Sequence, residues 1–148
     1  MEKAIFMTFL IATSMAYNQA LAQEEDDISP SPQQSLDFAA AVHYDHELLD
    51  HMTTQHLRFL EDCSDKLSSK CGIKLTEGLA EDKPMSVECC ENVLKIGIDC
   101  HKGLMDFVFT TYELKNKANE FRPKSKRIWN QCVQTIGSRI GVPIAFET

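Results

Sequence analysis

The fold depends most on one segment of the sequence, Ser86-Val-Glu-Cys-Cys-Glu-Asn-Val-Leu-Lys-Ile-Gly-Ile-Asp-Cys-His101, which places three cysteines on one predicted helix. Adjacent residues of a helix point about 100° apart, so Cys89 and Cys90 need partners on different neighbours. Cys100 follows Cys89 by about three whole turns and therefore lies on the same side of the helix. The segment thus predicts a central helix that is linked twice to one neighbour and once to another.

The sequence before this segment predicts a first long helix. Apolar residues recur at three- and four-residue spacing from about Leu48 to Cys71, and this stripe carries Cys63. Gly72 follows Cys71 directly, and we expect it to end the helix in a left-handed conformation. Residues 73–85 contain Gly78 and Pro84, and they are predicted to form either a loop or a short helical turn.

The central helix is expected to begin after Ser86, whose hydroxyl is a good N-cap, and to continue to about Phe109. Gly97 falls in its middle and is expected to permit the close approach of a neighbouring helix. After a polar stretch, Pro123 is expected in the first turn of a last helix, which ends at Gly137 or Gly141. The pattern predicts an all-α domain of three to four helices over residues 41–141, and 148 residues suffice for one such domain.

The even number of cysteines, six, suggests a disulfide framework in an oxidising compartment. Six cysteines allow 15 pairings, and spacing alone does not decide among them. If the first two helices form an antiparallel hairpin, Cys71 meets Cys89. Along the first helix, Cys63 lies about 12 Å from Cys71, and along the second helix, Cys100 lies about 16 Å from Cys89. The two distances differ by nearly one helical turn. The ranking therefore favours disulfides between Cys63 and Cys100, Cys71 and Cys89, and Cys90 and Cys132.

The N-terminus has the features of a signal peptide over residues 1–22. Lys3 gives a charged start, an apolar run follows to Ala16, and Ala20-Leu-Ala22 is a small-x-small cleavage site. The apolar run is too short to span a bilayer, which disfavours a membrane anchor. We therefore predict a secreted, extracellular protein that does not span a membrane after cleavage. Residues 23–40 are acidic and rich in Pro and Ser, and they are predicted to be disordered.

The chain is acidic, with a net charge of −7, and an acidic chain without a dominant basic face is a poor nucleic-acid binder. One local exception is a basic run at the start of the predicted last helix. A solvated face is the simplest interpretation of this run, and a docking patch for an acidic partner or a lipid headgroup is the alternative. The basic run consists of Lys115, Lys117, Arg122, Lys124, Lys126 and Arg127.

No motif of the sequence indicates catalysis. His43, His46 and Asp50 would share one face of a helix, but a metal site there is disfavoured because no fourth ligand is placed. His56 and His101 are expected to pack or to form hydrogen bonds. All six cysteines have plausible partners, so a thiol nucleophile is disfavoured, and neither a nucleophile elbow nor a phosphate loop occurs. We therefore expect a protein that is not an enzyme and that needs no metal or other cofactor.

Taken together, the cysteine motifs resemble those of the prolamin-like family of small cysteine-rich proteins. These motifs cover about residues 59–133, and Val93 stands where the family leads one to expect Leu. Members of this family are secreted in plant reproductive tissue and include the egg-cell-secreted proteins and others of the female gametophyte. The motifs are Leu60-Glu-Asp-Cys63, Cys71-Gly72, Ser86-x-x-Cys89-Cys90, Gly97-x-x-Cys100-His101 and Trp129-x-x-Cys132.

The resemblance implies a non-enzymatic signalling or recognition protein of plant reproduction, which acts through a protein receptor on the surface of another cell. The alternative is a carrier of a small apolar ligand, as in the lipid-transfer proteins of the wider prolamin superfamily. Those proteins have an eight-cysteine frame with a Cys-x-Cys element, which this chain lacks. In a carrier, a cavity rather than a solid core would be lined by Met52, Phe59, Leu94, Leu104 and Val108.

Overall fold

The computed structural model describes residues 32–142 and 144–146, and the side chains from Asp37 onward. The described residues are helical, with turns and extended connections but no strand, which confirms the all-α class. They belong mainly to one compact unit, Leu36–Thr148. None of the described helices is both long enough and apolar enough to cross a membrane. The predicted signal peptide lies outside the described residues.

The structure divides the chain into more and shorter helices than the three to four predicted. We number the α-helices in chain order, and a 3₁₀ turn at Lys115–Lys117 and a π-helical turn at Val133–Gly137 lie between them. The α-helices are α1 Pro32–Asp50, α2 Thr54–Lys66, α3 Ser69–Glu81, α4 Val87–Ile96, α5 Ile98–Val108, α6 Ala118–Cys132 and α7 Ser138–Ile140.

Helix α1 differs from the expectation of disorder over residues 23–40, because it begins at Pro32. Its inner face contacts the rest of the domain, where Ala41 and Asp45 are buried. Asp45 accepts a hydrogen bond of 2.8 Å from the backbone N–H of Tyr112. Local composition does not predict this contact, because it joins residues that are 67 positions apart. Residues 23–31 lie outside the described part of the chain.

The predicted first helix from Leu48 to Cys71 is wrong as one element, since it is broken twice. Thr53 caps α2 through the N–H of His56, and Ser68 caps α3 through the N–H of Cys71. Asn92 on α4 accepts a hydrogen bond of 2.8 Å from the N–H of Ser68. The same amide donates one of 3.0 Å to the carbonyl of Lys66. The Asn92 side chain on α4 therefore stabilises the backbone at the break between α2 and α3.

The predicted end at Gly72 is also wrong, because Gly72 lies within α3 and the helix continues to Glu81. The residue that ends α3 is Asp82, which adopts the left-handed conformation with φ of 54°. An aspartate tolerates this conformation better than most side chains do. Residues 73–81 are therefore helical, and only the stretch from Asp82 to Ser86 is a connection.

The central helix begins as predicted, since the Ser86 hydroxyl accepts a hydrogen bond of 3.3 Å from the N–H of Cys89. It does not continue through Gly97, which has φ of 93° and separates α4 from α5. A Cβ at Gly97 would meet no atom within 4 Å. The predicted role of Gly97 in close helix packing is therefore wrong, and glycine serves here because other residues rarely adopt this backbone conformation.

The last helix starts earlier than predicted, so Pro123 lies inside α6 rather than in its first turn. A π-helical turn follows α6 directly, and α7 then ends at Gly141. Gly141 has φ of 75°, the left-handed conformation that glycine adopts at helix ends. The predicted ends were Gly137 and Gly141, and the helical segment ends at Gly141.

The core consists of two apolar clusters. The first lies among α2, α3, α5 and α6 and includes Leu60, Leu75, Leu104 and Phe109. We call the second the Trp129 cluster, because that side chain is fully buried at its centre. The Trp129 cluster consists of Cys90, Val93, Leu94, Trp129, Cys132 and Ile136.

Candidate functional site

Three disulfides connect the helices, and they join the pairs that the helical spacing ranked first. Cys63 of α2 is bonded to Cys100 of α5, with 5.2 Å between their Cα atoms. Cys71 of α3 is bonded to Cys89 of α4. The third bond joins Cys90 to Cys132 of α6. Cys89 and Cys90 thus connect α4 to two different helices, as predicted, and no cysteine is left as a free thiol. The predicted double link of one central helix to one neighbour is wrong, because Cys100 lies on the separate helix α5 and its partner lies on α2 instead of α3.

The basic run lies around the start of α6, and half of its cations pair with carboxylates. Arg122 donates to Asp106 of α5, and Arg127 lies 3.5 Å from Asp82. Lys124 is the most enclosed, since its side chain is 15% exposed and its ammonium lies near both Asp82 and Glu120. Hydrogen bonds to Asp82 and then to Glu120 raise the pKa of Lys124 above its ordinary value.

The remaining cations of the run lack carboxylate partners of this kind. The Lys115 ammonium lies 3.8 Å from the ring centre of Tyr44 and 4.6 Å from that of Tyr112, a cation–π arrangement. Lys117 lies 6.0 Å from the ring of Phe121. Lys126 is exposed and makes no ion pair with any residue that the structure describes. The outward cations of the basic run are the exposed ones, namely Lys117, Arg122, Lys126 and Arg127.

The histidines considered as metal ligands lie on the exposed face of α1. His46 forms a pair of 3.1 Å with Asp50, and His43 lies 3.7 Å from Glu47. Each histidine thus pairs along the helix instead of converging with the other on one point. In the described parts of the chain, no group of three such side chains is arranged to hold a metal ion.

The five residues proposed to line a carrier cavity do not share one. Leu94 belongs to the Trp129 cluster, whereas Leu104 belongs to the first cluster, with Met52 and Val108 packed at its edge. Phe59 is 37% exposed. A cavity of about 540 Å³ lies along the outer face of α1, where Phe38, Val42 and charged side chains line it. This cavity is a surface groove and not a void between the core helices.

His101 packs in the core and forms a hydrogen bond, as the sequence predicted for it. It is 1% exposed, and its Nε2 lies 2.9 Å from the Ser125 hydroxyl. Burial lowers the pKa of His101 from 6.5 to about 4, so the ring is neutral near pH 7. Its Nδ1 has no hydrogen-bond partner in the described structure. Ser125 is likewise buried, with 5% of its surface exposed.

The C-terminal residues 144–146 return to the Trp129 cluster, against which Phe146 packs. The Trp129 indole donates a hydrogen bond of 2.8 Å to the Ile144 carbonyl. The Asn130 side chain accepts one of 2.7 Å from the N–H of Phe146 and donates one of 3.1 Å to its carbonyl. The Phe146 ring lies 6.0 Å from both the Trp129 and the His101 rings.

Comparison with known proteins gives two matches that bear on this geometry. The family model described as Prolamin-like matches residues 62–133. "Protein DOWN-REGULATED IN DIF1 11" of Arabidopsis thaliana is 59% identical over 150 aligned positions, which cover the whole of both chains. The chain belongs to the prolamin-like family. No solved structure gives a significant match.

The prolamin-like match spans all six cysteines, from Cys63 to Cys132, and therefore the whole disulfide framework. Helix α1 and the C-terminal residues 144–146 lie outside the matched region but inside the alignment with the Arabidopsis relative. The sequence did not predict the contacts of Asn130 with Phe146, because no periodic pattern relates an asparagine on a helix to a residue 16 positions further on. The sequence of this family member thus indicated the disulfide framework but not what packs against it.

Proposed function

We propose that this prolamin-like protein is secreted and acts without catalysis, as a signalling or recognition protein of plant reproduction that contacts a protein receptor on another cell. The observation that carries the proposal is the pairing of all six cysteines in three disulfides. Disulfides persist in secreted proteins and are rare in reducing compartments. Family membership and the similarity to a plant protein over the full length support the same assignment.

The proposed contact surface is the outward part of the basic run, and its partner is acidic. Lys126 and Arg127 are neighbours on the exposed side of α6, and Lys126 has no carboxylate within the described structure to neutralise it. The chain as a whole carries a net charge of −7, so this surface is a local exception to the overall field. Such charges act mainly on the association rate and on the salt dependence of binding.

The carrier alternative gains no support from the packing. Its five residues do not line one space, since Leu94 lies in the Trp129 cluster and Leu104 in the first cluster, each almost completely enclosed. A carrier site needs convergent lining of one continuous cavity. The recognition function therefore remains the proposal that agrees with the positions of these residues.

Secretion and cell recognition are tested with the tagged full-length protein expressed in plant cells. Material from the medium is labelled and applied to isolated plant gametes and, as a control, to leaf protoplasts of the same species. We expect mature protein in the medium and saturable binding to the gametes that is several-fold stronger than to the protoplasts. Retention of the protein inside the cell, or equal binding to both cell types, would contradict the proposal.

The contact surface is tested with the double variant Lys126→Gln/Arg127→Gln. Its matched control is Arg58→Gln/Lys66→Gln, which removes two exposed charges from α2. Exposed charges of this kind contribute little to stability, so both variants should melt near the wild-type temperature. Only the α6 variant should bind gametes several-fold more weakly, and its binding should depend less on salt. Equal binding by both variants would place the recognition surface elsewhere.

A further inference from the structure

We propose that Asp82 and Asp106 occupy, within the chain itself, the positions that carboxylates of an acidic partner peptide take on Arg127 and Arg122. The partner binds by exchange, because its carboxylates replace the two aspartates, and Lys126 supplies a charge that needs no exchange. The inference rests on the proposed function for its choice of surface. It adds the chemical class of the partner and names the residues that compete with it.

The two arginines lie on different flanks of α6. Arg122 donates a hydrogen bond to Asp106 of α5, whereas Arg127 lies 3.5 Å from Asp82, the residue that ends α3. Lys126 follows Arg122 by about one helical turn and directly precedes Arg127, so it lies on the surface between them. Lys126 is exposed and has no ion pair with the residues that the structure describes. Two paired arginines therefore border one unpaired lysine.

Both arginine–aspartate pairs are open to exchange, because all four side chains contact solvent. Arg122 and Asp106 are 46% and 58% exposed. Arg127 and Asp82 are 59% and 58% exposed. Ion pairs with this exposure contribute little to the stability of a fold. A carboxylate from another chain can therefore replace either aspartate without unfolding the domain.

Lys124 provides a contrast within the same run. Its side chain is 15% exposed, and its ammonium lies 3.1 Å from Asp82 and 3.2 Å from Glu120. Glu120 lies one turn earlier on α6, so Lys124 keeps a carboxylate partner when Asp82 is displaced. The ion pair of Arg127, in contrast, is with Asp82 alone in the described part of the chain. Displacement of Asp82 therefore frees Arg127 and not Lys124.

The partner that fits these cations is an acidic peptide. A guanidinium presents several N–H donors in one plane, which match the two oxygens of a carboxylate. Arg122 and Arg127 already pair with aspartates, so each side chain holds a position from which it binds a carboxylate. Since the proposed partner is a protein, carboxylates are the acidic groups that its side chains supply. The rest of the chain is acidic, with a net charge of −7, and favours binding of such a segment at this surface only.

The test removes each competing carboxylate with little change of shape, by Asp82→Asn and Asp106→Asn. Asparagine also adopts the left-handed conformation of Asp82, so α3 should end unchanged. The probe is a fluorescein-labelled oligoglutamate peptide, and its binding to the purified protein is measured by fluorescence anisotropy. Each variant should bind the probe about 3-fold more tightly than the wild type, because the freed arginine has no internal partner. Should Asp82→Asn destabilise the end of α3, Asp106→Asn, inside α5, tests the exchange by itself.

Removal of a negative charge anywhere on the chain favours an acidic probe, so a matched control is needed. Asp65→Asn removes one exposed carboxylate from α2, outside the basic run, and should bind almost as the wild type does. A second control is the Arg127→Gln background. There Asp82→Asn should lose most of its gain, because no arginine is left to be freed, whereas Asp106→Asn should keep its own. A general effect of charge would be the same in both backgrounds.

Equal affinities of the three single variants would overturn the exchange, because they would show only a general effect of charge. Weaker binding by Asp82→Asn and Asp106→Asn would also overturn it, since the aspartates would then orient the arginines for the partner. A sulfated oligosaccharide that shows the predicted gains, when oligoglutamate does not, would overturn the assignment to a peptide.

The assay uses no gametes, so the exchange and the proposed function fail separately. Gains in both aspartate variants, together with equal binding of the protein to gametes and protoplasts, would support the exchange and contradict the proposed function. Gamete-specific binding without any gain in these variants would contradict the exchange alone.

Discussion

Helix α1 and the disulfide-linked body from α2 to α6 are held by different kinds of interaction. Each disulfide lies within the body, where the two apolar clusters also lie. Helix α1 contains no cysteine and contacts the body through the buried Ala41, the Asp45–Tyr112 hydrogen bond and a cation–π contact of Lys115 with Tyr44. We therefore expect α1 to open locally while the body remains folded.

The connection of α1 is also mostly polar. Tyr44 and Tyr112 meet edge-on with 5.8 Å between ring centres, and the Lys115 ammonium lies over both rings. Regions with few buried apolar contacts open at a lower free energy than the global unfolding of a domain. The body and α1 are therefore expected to have separate stabilities.

The largest effect is expected when the disulfide that closes the longest loop is removed by Cys90→Ser/Cys132→Ser. This bond spans 42 residues, and in the chain-entropy model such a bond contributes about 4 kcal/mol. The double variant should lose most of its stability in denaturant titrations. The matched variant Cys71→Ser/Cys89→Ser opens an 18-residue separation and should lose roughly 1 kcal/mol less. Equal, small losses from both would show that packing alone holds the body.

A smaller effect is expected from pH, through His101 in the body. Its pKa is about 4 in the folded state and 6.5 in the unfolded state, so the unfolded chain binds a proton more readily between these values. Stability is therefore fully present above pH 6.5 and falls as the pH is lowered toward 4. The loss between pH 7 and pH 5 should be about 2 kcal/mol.

The control for this pH prediction is His101→Gln, which does not titrate in this range. Denaturant titrations of both proteins at pH 7 and pH 5 isolate the histidine from the carboxylates, because those remain mostly ionised above pH 5. A variant that is just as pH-dependent as the wild type would show that His101 is not the group responsible.

The smallest effect is expected from Asp45→Ala, which removes the acceptor for the Tyr112 N–H. The loss of one such hydrogen bond costs about 1 kcal/mol, or roughly 5-fold in opening. Hydrogen exchange should accelerate by about that factor in α1 and remain unchanged in α4 and α5. Asp50→Ala, on the exposed side of the same helix, is the control and should change neither region. Acceleration throughout the domain would mean that α1 and the body unfold as one unit.

The sequence predicted those features of the fold that are encoded locally. The cap at Ser86 depends on local geometry alone and appears in the structure, as do the three disulfides that the spacing ranked first. The continuous three-turn helix from Cys89 to Cys100 does not, because it is interrupted at Gly97. The break at Ser68 was missed because Asn92, 24 residues further on, holds it. The break at Gly97 was missed because a glycine inside an apolar periodicity does not reveal its φ angle.

The candidate sites show the same limit. The basic run is contiguous in sequence, but the partners of Arg122 and Arg127 are Asp106 and Asp82, which only the packing of α5 and α3 brings near α6. The contacts of Phe146 are further from prediction, since they join it to Asn130 and His101 from three parts of the chain. Local patterns therefore indicated which residues are charged but not which of them remain unpaired.

The most direct test of the account is peptide mapping, under non-reducing conditions, of the protein collected from the medium of plant cells. We predict a mature N-terminus at Gln23 and three linked peptide pairs, Cys63 with Cys100, Cys71 with Cys89, and Cys90 with Cys132. An intact Met1 would contradict secretion through a cleaved signal peptide. A bond between Cys89 and Cys132, or free thiols, would contradict the disulfide-linked body on which the proposed function depends.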